Sequence, residues 1–487
     1  MLSVSNKLRE IGKDYPLNHP ALINGENTIS YHQLAHRIEK IQYWLTSLNV
    51  NVVGLHLQNQ IDWVLIDLAC QEANIICIPL PTFFTEHQLQ QCIEQTGIEL
   101  LFSEKATIPS LFVHVKPLMS PIGLVDKQRV FQFNTNVAVT FPKGTQKVTF
   151  TSGSTGTPKG VCLSLEHQWK VAGSIAEHTQ LTQMRHLCLL PLSTLLENIA
   201  GIYAPLLTGG SIYLSDDNTR GMTLSSGLNI NTFLSHLTEK SPNSIIVLPQ
   251  LLSALIQACQ KGWQAPDSLM FIAVGGAKVS ADLIHLAQEY GLPVFQGYGL
   301  SESGSVTALN TLDAHHPQSV GKVMPHNHIS IENNEIIIRG SCHLGYLHHP
   351  STWYPRKILT GDTGYIENGY LFINGRIKNT LITSFGRNVN PEWIESELMV
   401  ANITQCMVLG DGQASLSALI SATEQISQTQ LQHWINQVNQ KLPDYAQIHH
   451  WLRVNETDWL PFTTPNGRLH RPSVTERFKH EIQHLYR

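Results

Sequence analysis

The sequence has no apolar stretch suited to crossing a bilayer, because Gly, Pro or polar residues interrupt its two most apolar regions, 198–214 and 244–259. Its first residues, MLSVSNKLREIGKDYP, carry charges where a secretory leader would be apolar. Eight cysteines are scattered between Cys70 and Cys406 without a CxxC, which fits free thiols in a reducing compartment better than disulfides or a zinc site. Basic excess is also missing. A formal net charge of -5 and a pI near 6.6 leave no electrostatic footprint for nucleic acid or anionic lipid. The 24 histidines include the pairs His315-His316, His348-His349 and His449-His450, none of which falls in an HExxH, so these read as solvated loop residues rather than metal ligands. No fixed-period repeat, low-complexity block or GxSxG elbow occurs. The expectation is a cytoplasmic globular protein with neither a nucleic-acid partner nor a membrane span.

At 487 residues the chain is too long for one core, and its length suggests about three compact units. Residues 21–31 read as a small hairpin, followed by Leu34, Ile38, Ile41 and Leu45 at helical spacing. A buried strand at 51–57, a helix at 61–71 and a strand at 75–79 come next, and similar units recur at 186–210, 244–261 and 269–295. Apolar strands alternating with helices indicate a doubly wound α/β architecture. Between Leu359 and Gly375 the pattern changes to short strands with turns, and a smaller, differently patterned unit follows. The domain boundary falls near Lys378.

The most informative stretch is KVTFTSGSTGTPKGVCLS, from Lys147 to Ser164. A β-prone run ending at Thr151 breaks into Ser152-Gly153-Ser154-Thr155-Gly156-Thr157-Pro158-Lys159-Gly160. Glycines that let backbone N–H groups turn inward, hydroxyl donors and one ammonium are what a polyphosphate requires. The spacing is not that of a Walker loop, since Pro158 and Gly160 stand where that motif needs Gly and Ser/Thr. A surface hairpin is the plainer alternative. Three further stretches accompany it: Gln296-Gly297-Tyr298-Gly299-Leu300-Ser301-Glu302 after a strand, Thr360-Gly361-Asp362, and Gly375-Arg376-Ile377-Lys378. The first lies where open α/β sheets bind ligands and fails the dinucleotide GxGxxG spacing at Glu302.

In their order and spacing these stretches resemble the AMP-forming adenylating enzymes, the superfamily of acyl-CoA synthetases, peptide-synthetase adenylation domains and luciferases. The likeness runs from about Ala21 to about Arg471 and is strongest toward fatty acyl-CoA synthetases. It implies a large N-terminal domain of doubly wound sheets, residues 1–377, and a small mobile α+β lid domain, residues 378–487. ATP, magnesium and coenzyme A are the implied cofactors. By resemblance, Thr151 to Thr157 and Lys159 hold the phosphates, Tyr298 and Gly299 lie by the adenine, and Ser301 touches the α-phosphate. Glu302 binds magnesium, Asp362 and Arg376 contact the ribose, and Lys378 is the lid pivot. Gly386 in Ser384-Phe385-Gly386-Arg387 lines the pantetheine tunnel. Lys159, Ser301, Glu302 and Arg468 are the candidate catalytic residues. Arg468 stands where the family usually has Lys, and Thr194 where the acyl-CoA synthetase stretch LPLxHxxE has His.

An acyl pocket is expected from Leu195 to Pro205, Leu248 to Leu252 and Gly275-Gly276-Ala277. Its apolar character, and the absence in 193–204 of the Asp that the family's amino-acid-activating domains use for an α-ammonium group, suggest a medium or long-chain fatty acid, which the resemblance implies is converted to an acyl-adenylate and then to a CoA thioester. Two alternatives stand beside this: delivery of the acyl group to a carrier protein acting in trans, and a non-catalytic acyl or nucleotide binder.

Overall fold

The computed structural model describes residues 3–104, 115–118, 129–133, 139–151, 159–223, 227–399, 403–423, 425–463 and 469–486. The expected hairpin is present as strands Pro20–Asn24 and Asn27–Ser30, and helix Tyr31–Ser47 follows it directly. Ser30 caps that helix reciprocally: its hydroxyl accepts from the Gln33 amide at 3.3 Å, while the Gln33 side chain accepts from the Ser30 N–H at 3.0 Å. Leu34, Ile38, Ile41 and Leu45 are all buried, as the spacing requires.

Two large sheets organise the first three-quarters of the chain. In one, strands Pro20–Asn24, Ser211–Tyr213, Arg185–Leu187, Ser244–Val247, Phe271–Val274 and Val294–Tyr298 lie side by side and parallel. The sheet then continues through antiparallel strands to the hairpin of Ile358–Glu367 with Tyr370–Arg376. In the other, Thr145–Thr151, Ile76–Pro79, Val52–His56 and Leu100–Ser103 are parallel. Lys159–Ser164 folds back antiparallel on Thr145–Thr151. Helix Ile61–Glu72 has every residue from Ile61 to Gln71 buried, which places it inside the shared core rather than on a surface. Parallel pairing with helical crossovers accounts for the continuous apolar runs of these strands.

The core also holds an ion pair. Lys147 Nζ lies 2.8 Å from Asp67 Oδ1, with their side chains 1% and 0% exposed. Tyr203 donates its hydroxyl to Asp67 Oδ2 at 2.5 Å and accepts from Lys147 at 2.7 Å, and Asn198 also meets the ammonium. Such charges are tolerated in a core only when paired and hydrogen-bonded. Asn198 and Tyr203 come from a π-helix, Glu197–Tyr203, whose wider turn carries polar side chains inward from a segment that reads as plainly apolar.

The last part of the chain forms a three-stranded sheet, Ile403–Leu409, Leu416–Ala422 and Ile448–Arg453. Ile394, Leu398, Leu431 and Ile435 from helices Pro391–Leu398 and Gln428–Lys441 belong to one of its apolar clusters, and Trp459, Val474 and Phe478 to another.

Candidate active site

A cleft of about 820 Å³ opens at the carboxyl ends of the parallel strands and is lined from both the large sheets and the C-terminal part. Strand Val294–Tyr298 runs three residues past its expected end, so Tyr298 projects from a strand rather than a loop. The chain turns sharply after it. A Cβ on Gly299 would lie 1.7 Å from the Ser305 carbonyl oxygen, so only glycine fits this approach. The turn sets Ser301 and Glu302 on the cleft wall.

Thr360-Gly361-Asp362 is not the isolated turn that its composition suggests but part of the long strand Ile358–Glu367. Asp362 is the direct cross-strand partner of Arg376, which explains how residues fourteen positions apart form one unit. Arg376 Nε lies 2.8 Å from Asp362 Oδ1, and the Tyr298 hydroxyl donates to Oδ2 at 2.6 Å. Both carboxylate oxygens are therefore engaged by protein already. Burial and then the adjacent carboxylate push the Tyr298 hydroxyl well above its ordinary range, keeping it a donor. Glu302 is similarly oriented: the Tyr346 hydroxyl donates to its Oε1 at 2.7 Å. Burial, reinforced by Glu302, holds the Tyr346 proton in place. Tyr346 was not legible as a site residue, because it arrives from strand Gly345–Tyr346 paired with Lys159–Ser164.

Thr151 and Lys159 face each other as the last and first ladder residues of an antiparallel pair, and both line the cleft. The hairpin alternative and the phosphate-loop expectation thus describe the same place. Ser152, Gly153, Ser154, Thr155, Gly156 and Thr157 lie outside the described residues, as does Arg468. Its described neighbours Phe462, Thr463 and His470 line the cleft, and Thr463 bridges to Leu469. Arg471, by contrast, pairs with Glu395 at 2.5 Å inside the C-terminal unit. Gly386 adopts φ +72° in an exposed turn and does not line the cleft.

The end of the cleft expected to hold the acyl group differs from expectation. Leu195, Leu196, Ala200, Leu248, Gly275 and Gly276 line it, but Ala277 and Leu252 do not, and Leu252 is fully buried in the neighbouring core. Other walls come from Ile175, Leu181, Met184 and Phe271, the last stacked on Phe295 with ring centroids 4.6 Å apart. His186 and Ser244 also line it, as adjacent residues of parallel strands. His186 Nε2 lies 2.9 Å from Glu197 Oε1, and Nδ1 lies 2.9 Å from Ser244 Oγ. The second oxygen of Glu197 accepts from the Leu190 N–H at 3.3 Å. Gly201 permits this contact, since a Cβ there would lie 2.7 Å from both Glu197 Oε1 and His186 Nε2.

Reading the histidines as solvated therefore needs correction. His348, His349, His449 and His450 are exposed, but His167, His186, His326 and His343 are buried and His315 and His316 are half-buried. Of these, His186 lies in strand Arg185–Leu187, His167 in helix Leu165–Thr179, and His315, His316, His326 and His343 in connecting segments, so no common periodicity marks them in the sequence. Cys188 brings its sulfur within 4.8 Å of the His186 and Glu197 ligand atoms. Burial and Glu197 push this thiol well upward, and His186 already uses both nitrogens, so the trio reads as a hydrogen-bonded cluster rather than a metal site.

Residues 8–341 match the AMP-binding enzyme family, and residues 378–487 match the AMP-binding enzyme C-terminal domain. The chain belongs to the AMP-binding enzymes. This places it in the AMP-forming adenylating superfamily. Among curated relatives of this AMP-binding enzyme is a 2-succinylbenzoate–CoA ligase of Staphylococcus aureus (strain MSSA476), 26% identical over 501 residues, covering 93% of this chain and 96% of the relative. Among solved structures, the anthranilate CoA ligase AuaEII in complex with anthranoyl-AMP superposes with a TM-score of 0.80 at 18% identity, covering 97% of this chain and 96% of the other. The o-succinylbenzoate CoA synthetase of Bacillus subtilis in complex with ATP and magnesium ion gives 0.73 at 20% identity, covering 96% and 98%. The fold, a large α/β body followed by a smaller α+β unit, is that of these enzymes.

Proposed function

We propose that this AMP-binding enzyme activates an aromatic carboxylic acid with ATP and transfers the acyl group to coenzyme A. One observation carries the reading: a single cleft joins the Thr151, Lys159, Tyr298, Ser301, Glu302 and Arg376 wall to a largely apolar chamber with an aromatic side. In the first step a carboxylate oxygen attacks the α-phosphorus, the bond to the β-phosphate oxygen breaks, and pyrophosphate leaves. In the second the thiol sulfur attacks the acyl carbon, losing its proton, and AMP departs. No protein nucleophile is required, so the chain's task is positioning and charge neutralisation. Lys159 and the 152–157 loop take the phosphates, and Ser301 donates to the α-phosphate. Asp362, held by Tyr298 and Arg376, keeps a lone pair on each oxygen for a ribose hydroxyl. The Glu302 carboxylate, oriented by Tyr346, is a hard oxygen donor that suits magnesium, which when bound offsets polyphosphate charge.

Residues 378–487 serve as the lid pivoting at Lys378. With Phe462, Thr463 and His470 at the cleft, Arg468 between them is the cation for the adenylation step, and Gly386 enters only after rotation.

The fatty-acid expectation gives way here to an aromatic acid. The relatives named above act, by their names, on 2-succinylbenzoate and anthranilate. The end of the chamber is also polar at Ser244, bonded to His186, where an aliphatic tail would offer no donor to the remaining lone pairs of Oγ. Those names specify coenzyme A as acceptor, and nothing favours a carrier protein. Pyrophosphate exchange with substituted benzoates and C8–C16 fatty acids, followed by thioester formation with coenzyme A, tests the proposal. Preference for a fatty acid overturns the substrate class, and exchange with no acid overturns adenylation and favours a binder.

A further inference from the structure

The polar end of the acyl chamber has a direction. Glu197 offers only acceptors: Oε2 takes the Leu190 N–H and Oε1 faces His186 Nε2. In the neutral ring facing a carboxylate, the hydrogen therefore sits on Nε2, and Nδ1 is the ring's acceptor. At 2.9 Å from Nδ1, the Ser244 hydroxyl must then donate to the ring, which leaves only lone pairs on Oγ for the chamber it lines. Cations are absent from this end: among the described residues lining the cleft, the Lys and Arg side chains are Lys159 and Arg376, one after the phosphate loop and the other on Asp362.

We infer that Ser244, positioned through His186 and Glu197, selects an aromatic monocarboxylic acid carrying a neutral hydrogen-bond donor, a hydroxyl or amino group, on the ring. A methoxy group can only accept and meets lone pairs on Oγ. A second carboxylate meets them with no cation to offset its charge. The inference rests on the aromatic-acid reading above and narrows it to one substituent chemistry.

The assay measures binding directly, so it does not depend on turnover. Isothermal titration of the intact protein compares hydroxybenzoates and aminobenzoates with the methoxybenzoates and benzenedicarboxylates of the same ring positions. At one ring position the donor-bearing acid should bind at least tenfold more tightly than its methoxy and carboxylate counterparts. In Ser244→Ala that ratio should collapse toward one. Glu197→Gln gives a sharper outcome. The Leu190 N–H still requires an acceptor, so the amide oxygen turns to it and the NH₂ group faces Nε2. The ring hydrogen then moves to Nδ1, Ser244 is released to donate outward, and the preference should swing toward methoxy acids. Melting curves of both variants establish that they are folded. Equal binding of donor and methoxy acids at every ring position, tighter binding of a dicarboxylate, an unchanged ratio in Ser244→Ala, or no binding by any acid overturns the inference. Absence of pyrophosphate exchange alongside donor-selective binding instead overturns only the proposed reaction.

Discussion

The two ends of the cleft are built differently. The proposed nucleotide end is made from short local segments: Tyr298 ends a strand that turns directly into Ser301 and Glu302, Thr151 faces Lys159 across one hairpin, and Asp362 and Arg376 are cross-strand neighbours in another. The proposed acyl end draws His186, Ser244 and Phe271 from separate strands, and behind His186 stands Glu197, the first residue of a π-helix. A ligand common to a whole family can be met by short local motifs, whereas a chamber assembled from side chains on a shared scaffold can change by single substitutions. Damage should also spread differently: at the nucleotide end it should be chemical and local, and beneath the acyl end structural.

The largest expected effect lies under the π-helix. Lys147→Met leaves Asp67 buried without its cation, and stability should fall by about 3–5 kcal/mol in denaturant titration. A loss below 1 kcal/mol would mean that the Tyr203 and Asn198 contacts alone satisfy Asp67 and that the scaffold is less brittle than the contrast requires. At the other end, Arg468→Ala should lower pyrophosphate exchange about a hundredfold, roughly 3 kcal/mol, without moving the melting temperature. Arg468→Lys should retain clear activity. Wild-type exchange in the alanine variant would remove Arg468 from the chemistry. Lys159→Ala should reduce kcat/KM for ATP by about 2 kcal/mol, again with unchanged stability. A parallel drop in melting temperature would blur the distinction between the two ends.

The smallest effect is a pH slope. Burial holds His167 and His326 down at about 4, so the folded chain resists protonating them while the unfolded chain takes protons near 6.5. Between those values the unfolded state binds more protons, so stability rises with pH through this window and is lost on acidification. His167→Asn should make the slope shallower by about 1 kcal/mol per pH unit, read from melts between pH 6.5 and 4. An unchanged slope would assign acid sensitivity to other groups.

The same contrast explains what the chain sequence disclosed. Helix Tyr31–Ser47 and the parallel strands were legible because apolar spacing is read locally. Lys159, Tyr298, Ser301, Glu302 and Arg376, singled out by their motifs, line one cleft, and Asp362 is bonded to Tyr298 and Arg376 beside it. What escaped was what register creates: Tyr346 beside Glu302, and His186 beside Ser244. The segment 195–205 reads as an apolar wall, yet Glu197 and Asn198 are buried in polar clusters on either side of it. Neither pairing follows from spacing along the chain, because each depends on which strands become neighbours.

Leu460, Phe462 and His470 belong to the C-terminal unit and yet form part of the wall around the cleft. The vessel in which an acyl-adenylate would form is thus shared between two bodies. A mixed anhydride is prone to hydrolysis, and a shared wall shelters it for as long as the bodies stay together. On the proposed lid motion, opening would drag some hundred residues through solvent. The enzyme's pace would then be set in part by friction, and its fidelity by how seldom the vessel leaks.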